Sequence, residues 1–310
     1  MLFAIIYVYI VTGTSNILLL QICSKIEFSE QLFLWFAFFL GFAVKIPMVP
    51  FHLWLPEAHV EAPTAGSVLL AGILLKLGSY GMLKFLNPIF TDAGIFFTPV
   101  VHMLSLFGVI YASLTALRQN DLKRIIAYAS IAHMNLIVIA IFSISVYALE
   151  GSLFQMVSHG LVSSLLFLMI GILYDRSGTR VVIQFSGLAS IMPVFATFFL
   201  FATISNMAFP GTSSFAGELF MLAGIFLTNK VTALLSALGI FLCSTYSIWL
   251  FNRIMCGSVN RNITNFKDID NLDFFVIFLL VLLIIVLGLY PHYISVFTYM
   301  DILWLTILNV

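Results

Sequence analysis

The chain has 310 residues, 62% of them hydrophobic and only 8% charged, against roughly 45–50% and 25% in a soluble domain. Thirteen Lys and Arg balance thirteen Asp and Glu, and the mean hydropathy is +1.14. These values exclude a soluble enzyme domain, a nucleic-acid binder with a basic face and a disordered chain. Continuous rather than alternating apolar runs exclude an outer-membrane-type barrel. The fold class is therefore an all-α polytopic membrane protein. Cys23, Cys243 and Cys256 lie far apart without a CxxC pair, so neither an iron–sulfur cluster nor a structural zinc site is expected. Neither GxGxxG nor GxxxxGK[ST] occurs, which removes the nucleotide-binding folds. Thirty-two Phe suggest AT-rich coding of the kind found in organelle genomes.

A crossing takes about 20 apolar residues, and nine segments qualify. They run over about 2–23, 31–55, 64–86, 94–117, 121–144, 150–174, 191–228, 231–255 and 272–296. The opening MLFAIIYVYIVTGTSNILLL has no basic n-region and reads as a first membrane helix rather than a removable signal. Two segments are interrupted: the second by Pro47 and Pro50, just after Lys45, and the seventh by Phe209, Pro210 and Gly211. Proline removes an amide donor. In lipid the freed carbonyls need other partners, so breaks survive inside a bundle or beside a wet cavity. Paired interruptions in two halves of a chain point to a transport path; the ordinary alternative is two proline kinks.

Loop lysines and arginines set the orientation. Loops after the even-numbered segments carry Arg118, Lys123, Arg124, Arg176, Arg180, Arg253, Arg261 and Lys267, whereas those after the odd ones carry Lys25, Lys84 and Lys230. The first set is expected to face the cytoplasm or the mitochondrial matrix. The sequon at Asn262 lies on that side and is expected to be unused.

Five ionisable residues fall within the apolar segments: Lys45, Lys76, His133, His159 and Glu218. Each charged group costs roughly 2.5–3.5 kcal/mol at mid-span, so Lys45, Lys76 and Glu218 together cost on the order of 8–10 kcal/mol. A lysine near a helix end can snorkel, which is open to Lys45. Lys76 lies about twelve residues inside its segment, and Glu218 is too short to escape. Histidine exchanges protons near neutral pH with little perturbation. The series Lys–Lys–His–His–Glu on successive helices therefore reads as a proton relay, with each lone histidine also readable as a helix–helix hydrogen-bond partner. His102, near a segment end, is a weaker candidate.

His52, Glu57, His59 and Glu61 are close in PFHLWLPEAHVEAPT and are potential metal ligands. The prolines argue against a single helical face, so an interfacial hairpin is expected and no metal site. Asp121, Lys123 and Arg124 read as solvated caps at a helix start.

The stretch KIPMVPFHLWLPEAHVEAPTAGSVLLAGILLKLGSYGMLKF (45–85) resembles the proton-translocating, antiporter-like subunits of respiratory complex I. The likeness continues through DLKRIIAYASIAHMN (121–135), SHGLVSSLLFLMIGILYDR (158–176) and GLASIMPVFATFFLFATISNMAFPGTSSFAGE (187–218). It implies an inverted-repeat, antiporter-like fold of about nine transmembrane helices here, two of them discontinuous. By this likeness residues 1–90 form a partial first repeat unit and 91–256 the second, and 257–310 a polar loop and a C-terminal helix.

The same resemblance implies roles. Lys45 matches the lysine beside the first break, and Lys76 the central lysine one helix later. His133 and His159 match the polar residues that continue a water-bridged axis. Glu218 matches the terminal acid, where some members carry lysine instead. Quinone reduction elsewhere in an NADH:ubiquinone reductase of the respiratory chain would drive protons along this axis in the mitochondrial inner membrane, or in a bacterial plasma membrane. The chain itself would bind no cofactor: neither NADH, flavin nor quinone. Its partners would be other membrane-arm subunits and the lipid bilayer. The family has five further helices before the one matched first here, with a glutamate that pairs with the residue at Lys45. A separate chain supplying those N-terminal helices is expected. The alternative function is a subunit of a multisubunit cation/proton antiporter, a branch of the same family.

Overall fold

The computed structural model describes residues 1–22, 26–259, 266–296, 298 and 302. Cys23, Lys25, Arg261 and the sequon at Asn262 lie outside the described residues. Among the described residues the chain is helical, with one isolated β-bridge between Asp121 and Val181.

The first expected span, 2–23, is two helices: α1 (Leu2–Thr12) and α2 (Ile17–Ile22). Gly13 ends α1 at φ 70°, its N–H bonded to the Tyr9 carbonyl. Asn16 Oδ1 then accepts the Leu18 N–H at 3.1 Å and starts α2. A left-handed glycine followed by a side-chain cap is a stop and a restart, which the apolar composition had masked.

Helix α3 (Phe28–Lys45) and helix α4 (Trp54–Glu61) are the halves of the first broken crossing. Pro47 has no N–H to offer the Ala43 carbonyl, so Met48 N bonds it instead at 3.0 Å. That displacement leaves the Val44 carbonyl open, and the Trp54 indole Nε1 donates to it at 2.9 Å. The break is thus closed by the residue that starts the second half. The segment expected to be an interfacial hairpin is a helix over 54–61, because Pro56 falls in its first turn, where a missing N–H costs nothing.

Helix α5 (Thr64–Ile89) contains two π-helical turns, Leu70–Leu74 and Met82–Leu86. Next come α6 (Thr91–Arg118), α7 (Leu122–Phe142) and α8 (Val146–Ser177). A 3₁₀ turn at Val182–Gln184 and a short helix at Leu188–Ile191 lead to α9 (Pro193–Asn206). Helices α9 and α10 (Ser213–Thr228) are the second broken crossing. Helices α11 (Lys230–Met255) and α12 (Asn271–Leu289) complete the set. Seven of these helices are long and apolar enough to cross a membrane.

Helix α7 is apolar on all sides and buried along nearly its whole length, as a bundle's central helix must be. By contrast α12 exposes most of its surface, which suits lipid. Gly151 on α8 explains how α10 comes so near, because a Cβ there would lie 2.5 Å from Met221 N.

The outer ends of both broken crossings are fixed by charge. At the C-terminus of α4, Lys123 Nζ donates to the Ala62 carbonyl at 2.7 Å, and Arg180 donates to the Val60 carbonyl. At the N-terminus of α9, the Asp268 carboxylate accepts Val194 N at 2.9 Å and Phe195 N at 3.1 Å. Cations at a helix C-terminus and an anion at an N-terminus both follow the helix dipole. Lys123 is only 1% exposed, so it is not the solvated cap its sequence position suggests. Asp121 is a true cap, accepting Lys123 N at 2.9 Å. Arg124 pairs with Glu57 at 3.2 Å on the surface.

Candidate proton-relay site

Four of the five expected relay residues come together. Lys76, on α5 just beyond the first π turn, is partly buried and donates to the Ala71 carbonyl. A π turn widens the helix and redirects its carbonyls; here one of them holds the lysine. The same Nζ lies 2.8 Å from His159 Nδ1 on α8. The rings of His159 and His133, the latter on α7, have centroids 5.5 Å apart at 51°. His133 Nδ1 then meets Glu218 Oε1 on α10 at 3.1 Å. His133, His159 and Glu218 are each at most 5% exposed. Three ionisable groups are therefore desolvated together, with His133 paired to Glu218 and His159 to Lys76.

Several polar residues that sequence reasoning did not single out complete the site. Gln155 Nε2 donates to Glu218 Oε1 at 3.3 Å, and Ser158 Oγ donates to Gln155 Oε1 at 2.8 Å. The signal was present in FQMVSHG, where Gln155, Ser158 and His159 fall three and four apart on one helical face. On the other side of His133, Cys243 Sγ lies 3.4 Å from Nε2 and 2.8 Å from the Tyr246 hydroxyl. Asn206 Nδ2 donates to Ser247 Oγ at 3.0 Å. Cysteine and tyrosine on an apolar helix carry no distinguishing pattern, so nothing in the sequence marked them.

Lys45 stands apart. It is exposed at the end of α3, and among the described residues it forms no ion pair. Gly78 on α5 lets the break approach: a Cβ there would lie 2.7 Å from Ile46 Cγ1 and 3.1 Å from Lys45 Cβ. Glu30 is fifteen residues back on α3, about 22 Å along the axis, and is engaged by the Tyr7 hydroxyl at 2.8 Å. It cannot reach Lys45.

The residues of the PFHLWLPEAH stretch do not form a cluster. His59 is fully buried, its ring stacked on Phe167 at 4.4 Å, while Glu57 turns outward to Arg124. Among the described residues no group of three or more His, Cys, Asp or Glu side chains is placed to hold a metal ion. His102 is buried against the backbone of Ile139.

Comparison with known proteins gives a consistent answer. Residues 1–245 match the family described as NADH:quinone oxidoreductase/Mrp antiporter, TM. The NADH-ubiquinone oxidoreductase chain 4 of Chondrus crispus is 55% identical over 94% of this chain. The NADH-quinone oxidoreductase subunit M of Rickettsia prowazekii is 46% identical, also over 94%. The alignments cover 59% and 60% of those relatives, so the chain spans about six tenths of their length. Among solved structures, a chain of respiratory complex I from Thermus thermophilus with bound NADH superposes with a TM-score of 0.94 at 25% identity, over all of this chain and 66% of that one. A chain of the Mrp complex from Dietzia sp. DQ12-45-1b superposes at 0.84 and 19% identity, over 99% of this chain and 64% of that one, a likeness of fold.

Proposed function

This chain belongs to the NADH:quinone oxidoreductase/Mrp antiporter transmembrane family, and we propose that it is a proton-translocating membrane-arm subunit of an NADH:ubiquinone oxidoreductase. The observation that carries the proposal is the run Lys76–His159–His133–Glu218, whose members are joined or adjacent from α5 to α10 in the second broken crossing. Structural ion pairs would not need two histidines between a lysine and a glutamate, and an imidazole can take up and release a proton near neutral pH.

In this reading Lys76 donates to His159 Nδ1, and water carries the proton between the two rings to the His133–Glu218 pair. Protonation of Glu218 removes the negative charge that holds an imidazolium at His133, so release from the pair is coupled to its charge. Redox chemistry in other chains would supply the driving force. We propose that this chain holds no redox centre and binds neither NADH, flavin nor quinone, its residues acting on protons alone. The mitochondrial inner membrane is the assigned location, with the arginine-rich loops on the matrix side.

Lys45 would switch the relay through a carboxylate that is not among the described residues. We assign that carboxylate to a helix packed on the exposed side of α3. The residues 1–90 and 91–256 would then be a partial and a complete repeat unit.

Glu218→Gln tests the reading, since it keeps the shape and removes titration. In the assembled complex, reconstituted in vesicles, proton pumping coupled to NADH oxidation is expected to fall at least about tenfold. Normal pumping with an intact complex would overturn the assignment. The antiporter reading has the family likeness in its favour, but the relatives at 46–55% identity are oxidoreductase subunits. Flavin and iron–sulfur chains should copurify under the first reading and not under the second.

A further inference from the structure

We propose that Cys243 is a positioning residue that fixes the tautomer of His133, and that the break in the second crossing is what makes it one. This rests on the relay reading above and goes beyond it.

In a continuous helix the Asn206 carbonyl would accept the N–H of residue 210, four positions on. Residue 210 is proline and has no N–H. None of the redirected backbone bonds at the break serves this carbonyl either: Met207 N goes to Thr203 and Ile204, Ala208 N to Ser205, Phe209 N to Ile204 and Thr212 N to Phe209. A buried carbonyl without a donor costs about 1–3 kcal/mol. Here the donor is the Cys243 thiol, 3.2 Å from Asn206 O.

A thiol has one proton. With S–H committed to a carbonyl that can only accept, the sulfur presents lone pairs to its remaining neighbours. Those are the Tyr246 hydroxyl at 2.8 Å, Asn206 Nδ2 at 3.7 Å and His133 Nε2 at 3.4 Å. The tyrosine and the amide can donate. His133 Nε2 must therefore carry a proton and donate it to sulfur. A ring's tautomer is set by the partner of each nitrogen, so the exchangeable position is Nδ1, 3.1 Å from Glu218 Oε1.

His133 and Glu218 then share one mobile proton, on Nδ1 or on the carboxyl, while the Nε2 proton stays in place. Without the sulfur acceptor His133 could turn to the Nδ1–H tautomer. It would then donate its resting proton to Glu218 and block the site that must receive the next one. The titratable groups facing His133 are Glu218 on α10, His159 on α8, and Cys243 and Tyr246 on α11. On α6, His102 lies against Ile139, six residues along α7. On α4, His59 lies near Lys123, ten residues away in the other direction.

The test compares Cys243→Ser, Cys243→Ala and Glu218→Gln in the complete complex reconstituted in vesicles, reading proton pumping against pH and assembly by native electrophoresis. Serine keeps one donor for Asn206 and lone pairs for His133, so its pH profile is expected to match the unsubstituted complex. Alanine removes both, and pumping is expected to fall about tenfold with a displaced pH profile, even where assembly is full. If alanine prevents assembly, Cys243→Val, which restores volume without polarity, is read in its place. An unchanged profile in the assembled alanine or valine variant, or an equal loss in serine and alanine, overturns the inference. Either result with Glu218→Gln inactive leaves the relay standing and removes only Cys243. Normal pumping in Glu218→Gln removes the relay itself.

Discussion

Lys76 Nζ and His159 Nδ1 meet at 2.8 Å across the contact between α5 and α8. That contact is possible only because both backbones come close: a Cβ on Gly160 would lie 3.0 Å from the Gly72 carbonyl. The ammonium is held on its other side by the Ala71 carbonyl of the π turn. Two acceptors from two helices therefore aim a flexible side chain along one line, which is what proton transfer requires of a donor.

Lys76→Met is expected to assemble about as well as the unsubstituted chain, because a partly buried charge is removed and none is created. Ubiquinone reduction by the complex should fall at least about tenfold, since a methionine can neither donate to His159 nor exchange a proton. Assembly on native gels and activity per assembled complex separate the two effects. Loss of assembly with full activity in the remainder would make Lys76 structural.

Gly78→Ala addresses the other lysine. The added methyl would meet Ile46 Cγ1 at 2.7 Å and Lys45 Cβ at 3.1 Å, and the backbone there is the turn that breaks the first crossing. Overpacking at such a point costs about 1–3 kcal/mol. A lower unfolding temperature of the purified complex, with the Lys76–His159 contact untouched, is the expected result. An unchanged melting temperature would mean that α3 and α5 separate without cost at the break.

Lys123→Met leaves the Ala62 carbonyl at the end of α4 without its donor. A part-buried carbonyl so orphaned costs on the order of 1 kcal/mol, with the lost cation at a helix C-terminus adding to it. Thermal unfolding should therefore shift downward. The same substitution at Arg124, whose pair with Glu57 is exposed, should shift it by less, because exposed pairs contribute about 0–1 kcal/mol. Equal shifts for the two would refute the distinction between a buried cap and a surface pair.

Much of this was legible in the sequence because lipid makes polarity conspicuous. A lysine or glutamate among leucines is visible at once, and so are Pro47, Pro50 and Pro210; hence the ionisable residues inside the apolar segments and both breaks could be read. What hid were features that cost nothing to place. Gly13 looks like any membrane glycine until its φ of 70° shows that α1 stops there. The π turns of α5 differ from an α-helix by one residue of register and leave no compositional trace. Lys123 reads as an interfacial cation, and only packing shows that its stem is buried and its ammonium serves another helix. Cys243 and Tyr246 are ordinary residues of an apolar helix until the carbonyl freed by Pro210 is found beside them.

Lys45 is exposed at the inner end of α3, where the crossing breaks. Phe33 and Phe36 on the same helix are 81% and 50% exposed. Lipid suits the phenylalanines, but an ammonium facing hydrocarbon costs roughly 2.5–3.5 kcal/mol, and a carboxylate on a neighbouring helix would offset it. A helix packed on α3 with a glutamate or aspartate at mid-membrane depth would meet that need. Cross-linking in the purified complex should place such a helix beside α3. Replacing its carboxylate should reduce pumping as strongly as Lys45→Met, and replacing both should cost little more than either alone, as expected for two members of one pair. A density map showing lipid, or helices without a carboxylate, beside Lys45 would refute the pairing and leave the proposed relay with the run from Lys76 to Glu218 alone.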